Sequence, residues 1–241
     1  MSKAVVLSSG GLDSTTCLAM AVNKFGEKNV STVSIFYGQR HAKELEAAKN
    51  VADFYKVAHY EFDAAEIFRH SNSTLLNTSN ESIEKNSYAE QIEKNHSPKI
   101  STYVPFRNGL MLSMAASFAD GLYNDDLVEI YIGVHSDDVA GSAYADCRAD
   151  FIAAMSAAIR IGTYEKIHLV APFLCRNKAD VVKVGLELHA PYHLTWSCYE
   201  RGEIPCGQCA TCIDRAKAFA LNGVKDPALV ELKRKKFFSL I

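Results

Sequence analysis

The chain predicts an α/β fold: a Rossmann-like, doubly wound and mostly parallel sheet, followed by a C-terminal helical module built on four cysteines. Three observations lead there. Short apolar runs alternate with stretches of helical periodicity over residues 4–188, the pattern of strands that feed crossover helices. Polar loops loaded with Gly, Asp, Arg, Asn or His follow four of these runs, at the carboxyl ends of parallel strands where ligands gather. Finally, Cys198, Cys206, Cys209 and Cys212 crowd into one short segment, while Cys17, Cys147 and Cys175 are scattered.

The elements follow in order. Residues 4–7 (AVVL) form a short apolar run that predicts a strand, after which Leu18, Ala21, Val22 and Phe25 recur at helical spacing. Residues 30–37 (VSTVSIFY) predict a second strand. A helix follows, with Leu45, Ala48, Ala52 and Tyr55 on one face and Lys43, Glu44, Glu46 and Lys49 outside. Residues 59–63 suit a short third strand. Periodicity then fails over 66–102, a stretch rich in Ser, Asn, Glu and Lys and too long for an idle connection. It resumes in a helix over 108–123, where Leu110, Met111, Met114, Ala115 and Phe118 give a wide apolar stripe. Residues 127–134 (LVEIYIGV) predict a strand, 150–161 a helix, 167–171 a strand, and 177–188 a helix with Val181, Val184 and Leu188 aligned. The cysteine segment and one or two helices complete the chain. Four loops then lie at strand carboxyl ends, after Leu7, Tyr37, Val134 and Ala171.

With 241 residues, 48 % hydrophobic and 22 % charged, the composition is that of an ordinary globular chain. One large domain with an appended element fits this length better than two full domains. A formal net charge of −2 gives no global basic field for nucleic acid. The run Lys233-Arg234-Lys235-Lys236 reads as a solvated helix face. No stretch is long and apolar enough for a membrane span, and the N-terminus reads as a strand rather than a secretory signal. The expected location is the cytoplasm, with thiols reduced unless metal-bound.

The loop after Leu7 reads Ser9-Gly10-Gly11-Leu12-Asp13-Ser14. A strand, a glycine pair and polar residues at a helix start make a cradle of backbone N–H groups suited to phosphate; a tight turn with an Asp or Ser cap is the plainer reading. Arg40 and His41, after the second strand, are candidates for contact with a nucleotide or acidic substrate, against the alternative of an exposed helix start. Arg107-Asn108 opens the long apolar helix, and the Arg fork can hold a carboxylate or phosphate at two points. Asp137 and Asp138 follow His135-Ser136; adjacent carboxylates suit magnesium or the N–H edge of a heterocycle, while capping accounts for only one of them. Lys178, at a helix start, is placed to neutralise phosphate charge.

Cys198 with Cys206-x-x-Cys209-x-x-Cys212 reads as a tetrahedral metal site, its bends supplied by Gly202, Pro205 and Gly207. A redox pair leaves two thiols unexplained, and an iron–sulfur cluster lacks Cys-Pro at the expected place. Four thiolates argue for a closed structural zinc site rather than a catalytic one with an open position.

The opening hexapeptide resembles the Ser-Gly-Gly-x-Asp-Ser motif of the PP-loop, or N-type, ATP pyrophosphatases. Tyr37-Gly38-Gln39-Arg40-His41, Tyr103-Val104-Pro105-Phe106-Arg107-Asn108, Asp146-Cys147-Arg148 and the four cysteines occur in the order seen in the QueC family of 7-cyano-7-deazaguanine synthases. The resemblance implies a Rossmann-like sheet, a C-terminal zinc module and a homodimer. It further implies the conversion of 7-carboxy-7-deazaguanine and ammonia to 7-cyano-7-deazaguanine, on the way to queuosine. ATP with magnesium would adenylate the carboxylate and then the amide, releasing AMP and pyrophosphate.

On this reading Ser8, Ser9, Gly10, Gly11, Leu12, Asp13, Ser14, Thr15 and Thr16 bind ATP, and Asp13, Ser14, Lys178 and Arg107 carry the chemistry. Arg40, His41, Arg107, Asn108, Asp137 and Asp138 meet the substrate, and Cys198, Cys206, Cys209 and Cys212 hold zinc. Residues 1–190 form the ATP pyrophosphatase domain with its insert at 66–102, and residues 191–241 the zinc module. No glutaminase is visible, so ammonia comes from solution or a partner. Two departures stand out: Phe106 replaces a family glycine, and residues 141–147 are two longer than the family's run and lack its proline. They keep open a related deazapurine or tRNA base delivered to a different nucleophile, giving an amide or a thiolated product. A PP-loop enzyme with an iron–sulfur cluster acting on tRNA, and a non-catalytic nucleotide-binding module, are the remaining alternatives.

Overall fold

The computed structural model describes residues 2–40, 43–95, 100–138, 144–200 and 202–238. Its five strands, β1 (Ser2–Leu7), β2 (Val30–Phe36), β3 (Ala58–Asp63), β4 (Leu127–Tyr131) and β5 (Ile167–Val170), form one sheet in the order β3-β2-β1-β4-β5. Every ladder between these strands is parallel, and central β1 pairs Val5 with Ser31 on one side and with Ile130 on the other. The chain winds outward from β1 to β3, then crosses back to lay β4 on the other side of β1. The strand order therefore reverses between β1 and β4, the position where such sheets open a crevice at their carboxyl ends.

Helices cover both faces. They are α1 (Leu12–Phe25), α2 (Lys43–Tyr55), α3 (Ala65–Phe68), α4 (Tyr88–Asn95), α5 (Arg107–Tyr123), α6 (Ala149–Gly162), α7 (Lys178–Glu187), α8 (Ala210–Leu221) and α9 (Pro227–Phe238). Val5 belongs to a core with Leu112, Ala115 and Ala119 of α5 and Ile152 and Ile159 of α6. Its neighbours Ala4 and Val6 belong to a second core with Leu18 of α1, Val51 of α2, Val181 of α7 and Phe219 of α8. A strand buried on both faces has no polar alternation, which is why it reads as a continuous apolar run. No helix of the described residues is long and apolar enough to cross a membrane.

Several expectations shift. The ladder of β4 stops at Tyr131 rather than Val134, and Ile132 and Val134 stay buried as the chain turns into the crevice. On α5 the deepest residues are Leu112, Ala115, Ala116 and Ala119, while Leu110, Met111, Met114 and Phe118 are half-buried. The polar stretch 66–102 is docked rather than adrift. Leu75, Leu76, Ile83, Tyr88 and Ile100 are buried in the sheet's core, and Leu76 pairs antiparallel with Gln39. Their irregular spacing hides them from any periodic pattern.

The C-terminal segment is pinned by a buried ion pair. Arg215 of α8 donates through Nε to Asp226 Oδ2 at 2.7 Å and through Nη2 to Oδ1 at 2.9 Å. Its remaining donors reach Thr195 Oγ1, Ser197 Oγ and the Tyr192 carbonyl. Such a group is tolerated only because every partner is present. Arg215→Ala strands the Asp226 carboxylate and is expected to cost about 3–5 kcal/mol in denaturant unfolding; a loss below ~1 kcal/mol contradicts this account.

Candidate functional site

The crevice at the carboxyl ends of β1, β2 and β4 encloses about 230 Å³ and is lined from one end by Ser8, Ser9, Gly11, Asp13 and Ser14. Glycine is demanded here by close approach. Gly10 has φ +73°, and a Cβ there would lie 2.2 Å from the Glu44 carbonyl oxygen of α2. A Cβ on Gly133 would meet the Asp13 backbone at 2.9 Å. The N-cap of α1 is Gly11, with no side-chain cap, so the loop turns tightly but neither Asp13 nor a serine caps the helix. Ser14 Oγ instead donates to the Gly11 carbonyl and lies 3.3 Å from Ser9 Oγ. The first-turn amides of α1 are thereby left for an anion.

A charged centre stands against this loop. Lys178, the first residue of α7, is buried and donates to Asp13 Oδ2 at 2.9 Å, with His135 Nε2 at 3.2 Å. Burial drives its ammonium toward the neutral form, but Asp13 and Asp138 overcome this and hold it above the ordinary lysine value. Burial likewise pushes the Asp13 carboxyl up, and Lys178 and His135 bring it below the usual carboxylate range. Asp138 and Asp214 line the same crevice, and burial raises both. Asp13 Oδ1 is buried and accepts no hydrogen bond. This oxygen, 3.6 Å from His135 Nε2 and in the crevice that Asp138 and Asp214 also line, suits a hard divalent cation beside a polyphosphate.

The opposite end is aromatic. Arg107 donates to Tyr37 Oη at 3.2 Å and lies 5.1 Å from that ring's centre. Tyr88 of the insert and Tyr199 of the cysteine segment share a hydrogen bond of 2.9 Å, and Tyr144 donates to Tyr88 at 3.3 Å. Burial keeps all three phenols protonated. Phe106, just before Arg107, is exposed with φ +53°, a left-handed conformation that favours glycine. It is anchored edge-on against Phe151, with ring centroids 5.7 Å apart.

The expected site residues divide. Ser8, Ser9, Gly11, Asp13, Ser14, Arg107, Asn108, Asp138 and Lys178 converge on the crevice. Arg40 does not: its guanidinium is committed to carbonyls of Leu76, Ser79 and Glu81 and so ties down the insert. Asp137 accepts the Lys178 backbone N–H at 2.9 Å, which makes it a support for α7. Leu12 is core, and Thr16 turns away to bond Tyr192 Oη at 2.7 Å. Thr15 is fully buried as well, and Gly10 serves the packing of α2. The side-chain amide of Asn108 is held by the Asp146 carbonyl and Cys147 Sγ. His41 lies outside the described residues.

Sequence reasoning missed His135, Tyr37, Trp196, Tyr199, Asp214 and Glu44, all but His135 lining the crevice. For Glu44 a signal existed. The buried face of α2 is Ala47, Ala48, Val51 and Ala52, and Glu44 sits one turn before Ala47 and Ala48 on that face. It therefore points inward, contrary to the expectation. Lys43 is not simply solvated either, since its ammonium lies 4.7 Å over the Trp196 ring.

The ligand atoms of Cys198, Cys206, Cys209 and Cys212 all lie within 4.8 Å of one another. Sulfurs at the corners of a tetrahedron around zinc stand ~3.8 Å apart, so the four fit one thiophilic ion with little movement. Backbone N–H groups of Cys206, Gln208 and Cys209 already point at the sulfurs of Cys198 and Cys206, the usual support for thiolate charge. The segment bearing them supplies Trp196, Ser197, Tyr199, Thr211 and Asp214 to the crevice wall.

A parallel sheet with a glycine-rich loop at its switch point, and a lysine–carboxylate centre against that loop, define an α/β protein of the Rossmann-like class. Comparison with known proteins narrows the class. A family model described as Queuosine biosynthesis protein QueC matches residues 3–223. The 7-cyano-7-deazaguanine synthase of Archaeoglobus fulgidus is 40 % identical over 228 residues, covering 94 % of this chain and 90 % of that protein. That of Caldicellulosiruptor saccharolyticus is 39 % identical over 231 residues, 96 % of each chain. Among solved structures, NMN synthetase from Francisella tularensis aligns with 95 % of this chain and 82 % of its own at 14 % identity and a TM-score of 0.44, too remote to argue from. The chain belongs to the QueC family, whose members are enzymes of queuosine biosynthesis.

Burial raises the Glu44 carboxyl to about 7, against the opposing pull of Arg107. Between the ordinary glutamate value and about 7 the folded chain holds a proton that the unfolded chain releases, so stability falls as pH rises through that window. The loss is on the order of 3 kcal/mol. Glu44→Gln cannot ionise and is expected to match the wild type near pH 4.5 and to melt above it at pH 8. Equal melting temperatures at both pH values would place the carboxylate in solvent.

Proposed function

We propose that the chain is an ATP-dependent ligase that converts 7-carboxy-7-deazaguanine and ammonia to 7-cyano-7-deazaguanine, releasing AMP and pyrophosphate. The observation that carries this is the placement of Asp13 and Lys178 against the loop at residues 9–14, in a chain whose near-full-length relatives bear that name. A carboxylate resists nucleophiles because it is anionic and its oxide cannot leave. One of its oxygens attacks the α-phosphorus of ATP and pyrophosphate departs. Ammonia then adds to the acyl carbon, and loss of AMP and a proton leaves the amide. The amide oxygen attacks a second ATP in the same way, and departure of AMP with the remaining N–H protons gives the nitrile.

The chemistry asks for positioning and charge stabilisation rather than a nucleophilic side chain. Ser9, Ser14 and the first amides of α1 hold the phosphates, and the Lys178 ammonium neutralises charge growing on the phosphoryl oxygens. Asp13 aims Lys178, and Arg107 steers the substrate's acceptor groups. Asp13, Asp138 and Asp214 would hold magnesium, which screens the triphosphate. The four cysteines would hold zinc and set the wall from Trp196 to Asp214. Residues 1–190 act as the activation domain and 191–241 as the metal module, the enzyme working as a cytoplasmic homodimer on ammonia from solution or a partner.

The test is incubation with ATP, magnesium, ammonium and 7-carboxy-7-deazaguanine, followed by mass analysis. The nitrile and AMP are expected, and joint alanine substitution of Asp13 and Ser14 abolishes AMP formation. ADP, or a reaction that stops at the amide, overturns the assignment. Elemental analysis is expected to find zinc in a colourless protein; a brown protein containing iron would replace zinc with an iron–sulfur cluster.

A further inference from the structure

Glu44 has no place in the scheme above, yet it lines the crevice where substrate must lie. Its backbone is clamped to the phosphate loop, because the Glu44 carbonyl oxygen fills the space a Cβ on Gly10 would need. The carboxylate is therefore held at a set distance from the adenylating centre. Its side chain makes no hydrogen bond or ion pair among the described residues, although the charge of Arg107 is felt there. Arg107 itself engages Tyr37 from the same end of the crevice. An acid without a partner among the described residues and a guanidinium thus share one aromatic chamber without bridging each other.

That pairing selects a ligand with donors on one edge and acceptors on another. A 2-amino-4-oxopyrimidine ring has this character. Its ring N–H and exocyclic amino group offer two parallel donors to a carboxylate, and its carbonyl with a neighbouring carboxylate offers acceptors to a guanidinium fork. The other acids lining the crevice, Asp13, Asp138 and Asp214, gather around the Lys178 ammonium rather than Arg107. Asp137 is occupied by the Lys178 N–H, and Asp138 accepts from the His135 N–H beside the lysine. We infer that Glu44 binds the amino-bearing N–H edge of the heterocyclic substrate, with Arg107 on its acceptor side, and thereby sets specificity for a 2-amino ring. The inference rests on the proposed function, since it names how that substrate is read. The raised Glu44 carboxyl, faced by Arg107 and Tyr37, agrees with a group desolvated in advance for such donors.

Steady-state AMP formation by the full-length chain tests this, comparing 7-carboxy-7-deazaguanine with its analogue lacking the 2-amino group. If the wild type turns over neither compound, the functional reading itself fails. If it turns over the first, a preference of at least ~100-fold in kcat/KM is expected, because the analogue leaves a buried acceptor unpaired. Glu44→Gln should bring that preference below ~10-fold by raising KM for the 2-amino substrate, with KM for ATP and ammonium unchanged. Glu44→Asp, which keeps the charge but retracts it, should fall between the two and serves if Glu44→Gln does not fold. A wild type indifferent to the amino group overturns the inference while sparing the reaction. So does a variant that keeps the preference, or one whose defect lies in KM for ammonium, as a base for ammonium would show.

Discussion

Everything at the carboxyl edge of the sheet depends on keeping one buried lysine charged. Removing an ammonium from water costs several kcal/mol, and Lys178 is nearly sealed from solvent. The charge survives because Asp13 arrives from the loop after β1 and Asp138 from the loop after β4. Three strand ends must converge for this, which a parallel sheet achieves only where its winding reverses. Asn177 and Asp180 close a reciprocal cap at the start of α7, and Asp137 holds the Lys178 N–H. The first residue of that helix is thereby fixed by backbone as well as by charge.

The crevice has two electrically distinct ends. One gathers Asp13, Asp138, Asp214 and Lys178 into a charged centre. The other is walled by phenols kept neutral by burial, with Arg107 and Glu44 among them. Tyr88, Tyr144 and Tyr199 come from the insert, the stretch after β4 and the cysteine segment. The irregular parts of the chain meet one another over the crevice, and the sheet supplies only its floor.

What could be read from the sequence follows from which forces leave a local trace. β1 was visible because burial on both faces makes its apolar run at residues 4–7 continuous. The loop at residues 9–14 and the four cysteines were visible because their chemistry is written in adjacent positions. Arg40 misled because an arginine at a strand end looks alike whether it awaits a ligand or binds carbonyls thirty-odd residues away. Tyr88 and Leu76 were hidden in a polar stretch whose buried residues obey no period. Glu44 was misplaced because its charge was given more weight than its register with Ala47 and Ala48.

The cysteine segment carries one more property. Trp196 is the chain's single tryptophan, and its indole N–H donates to the Cys198 carbonyl at 2.9 Å while its ring lines the crevice. The Lys43 ammonium rests above that ring. One chromophore thus touches the four-cysteine segment, the first turn of α2 and the crevice at once. Ultraviolet emission excited in the indole band has a single origin in this protein, and an indole so placed is expected to report occupancy of the crevice or of the four-cysteine cluster through its intensity, without any added label.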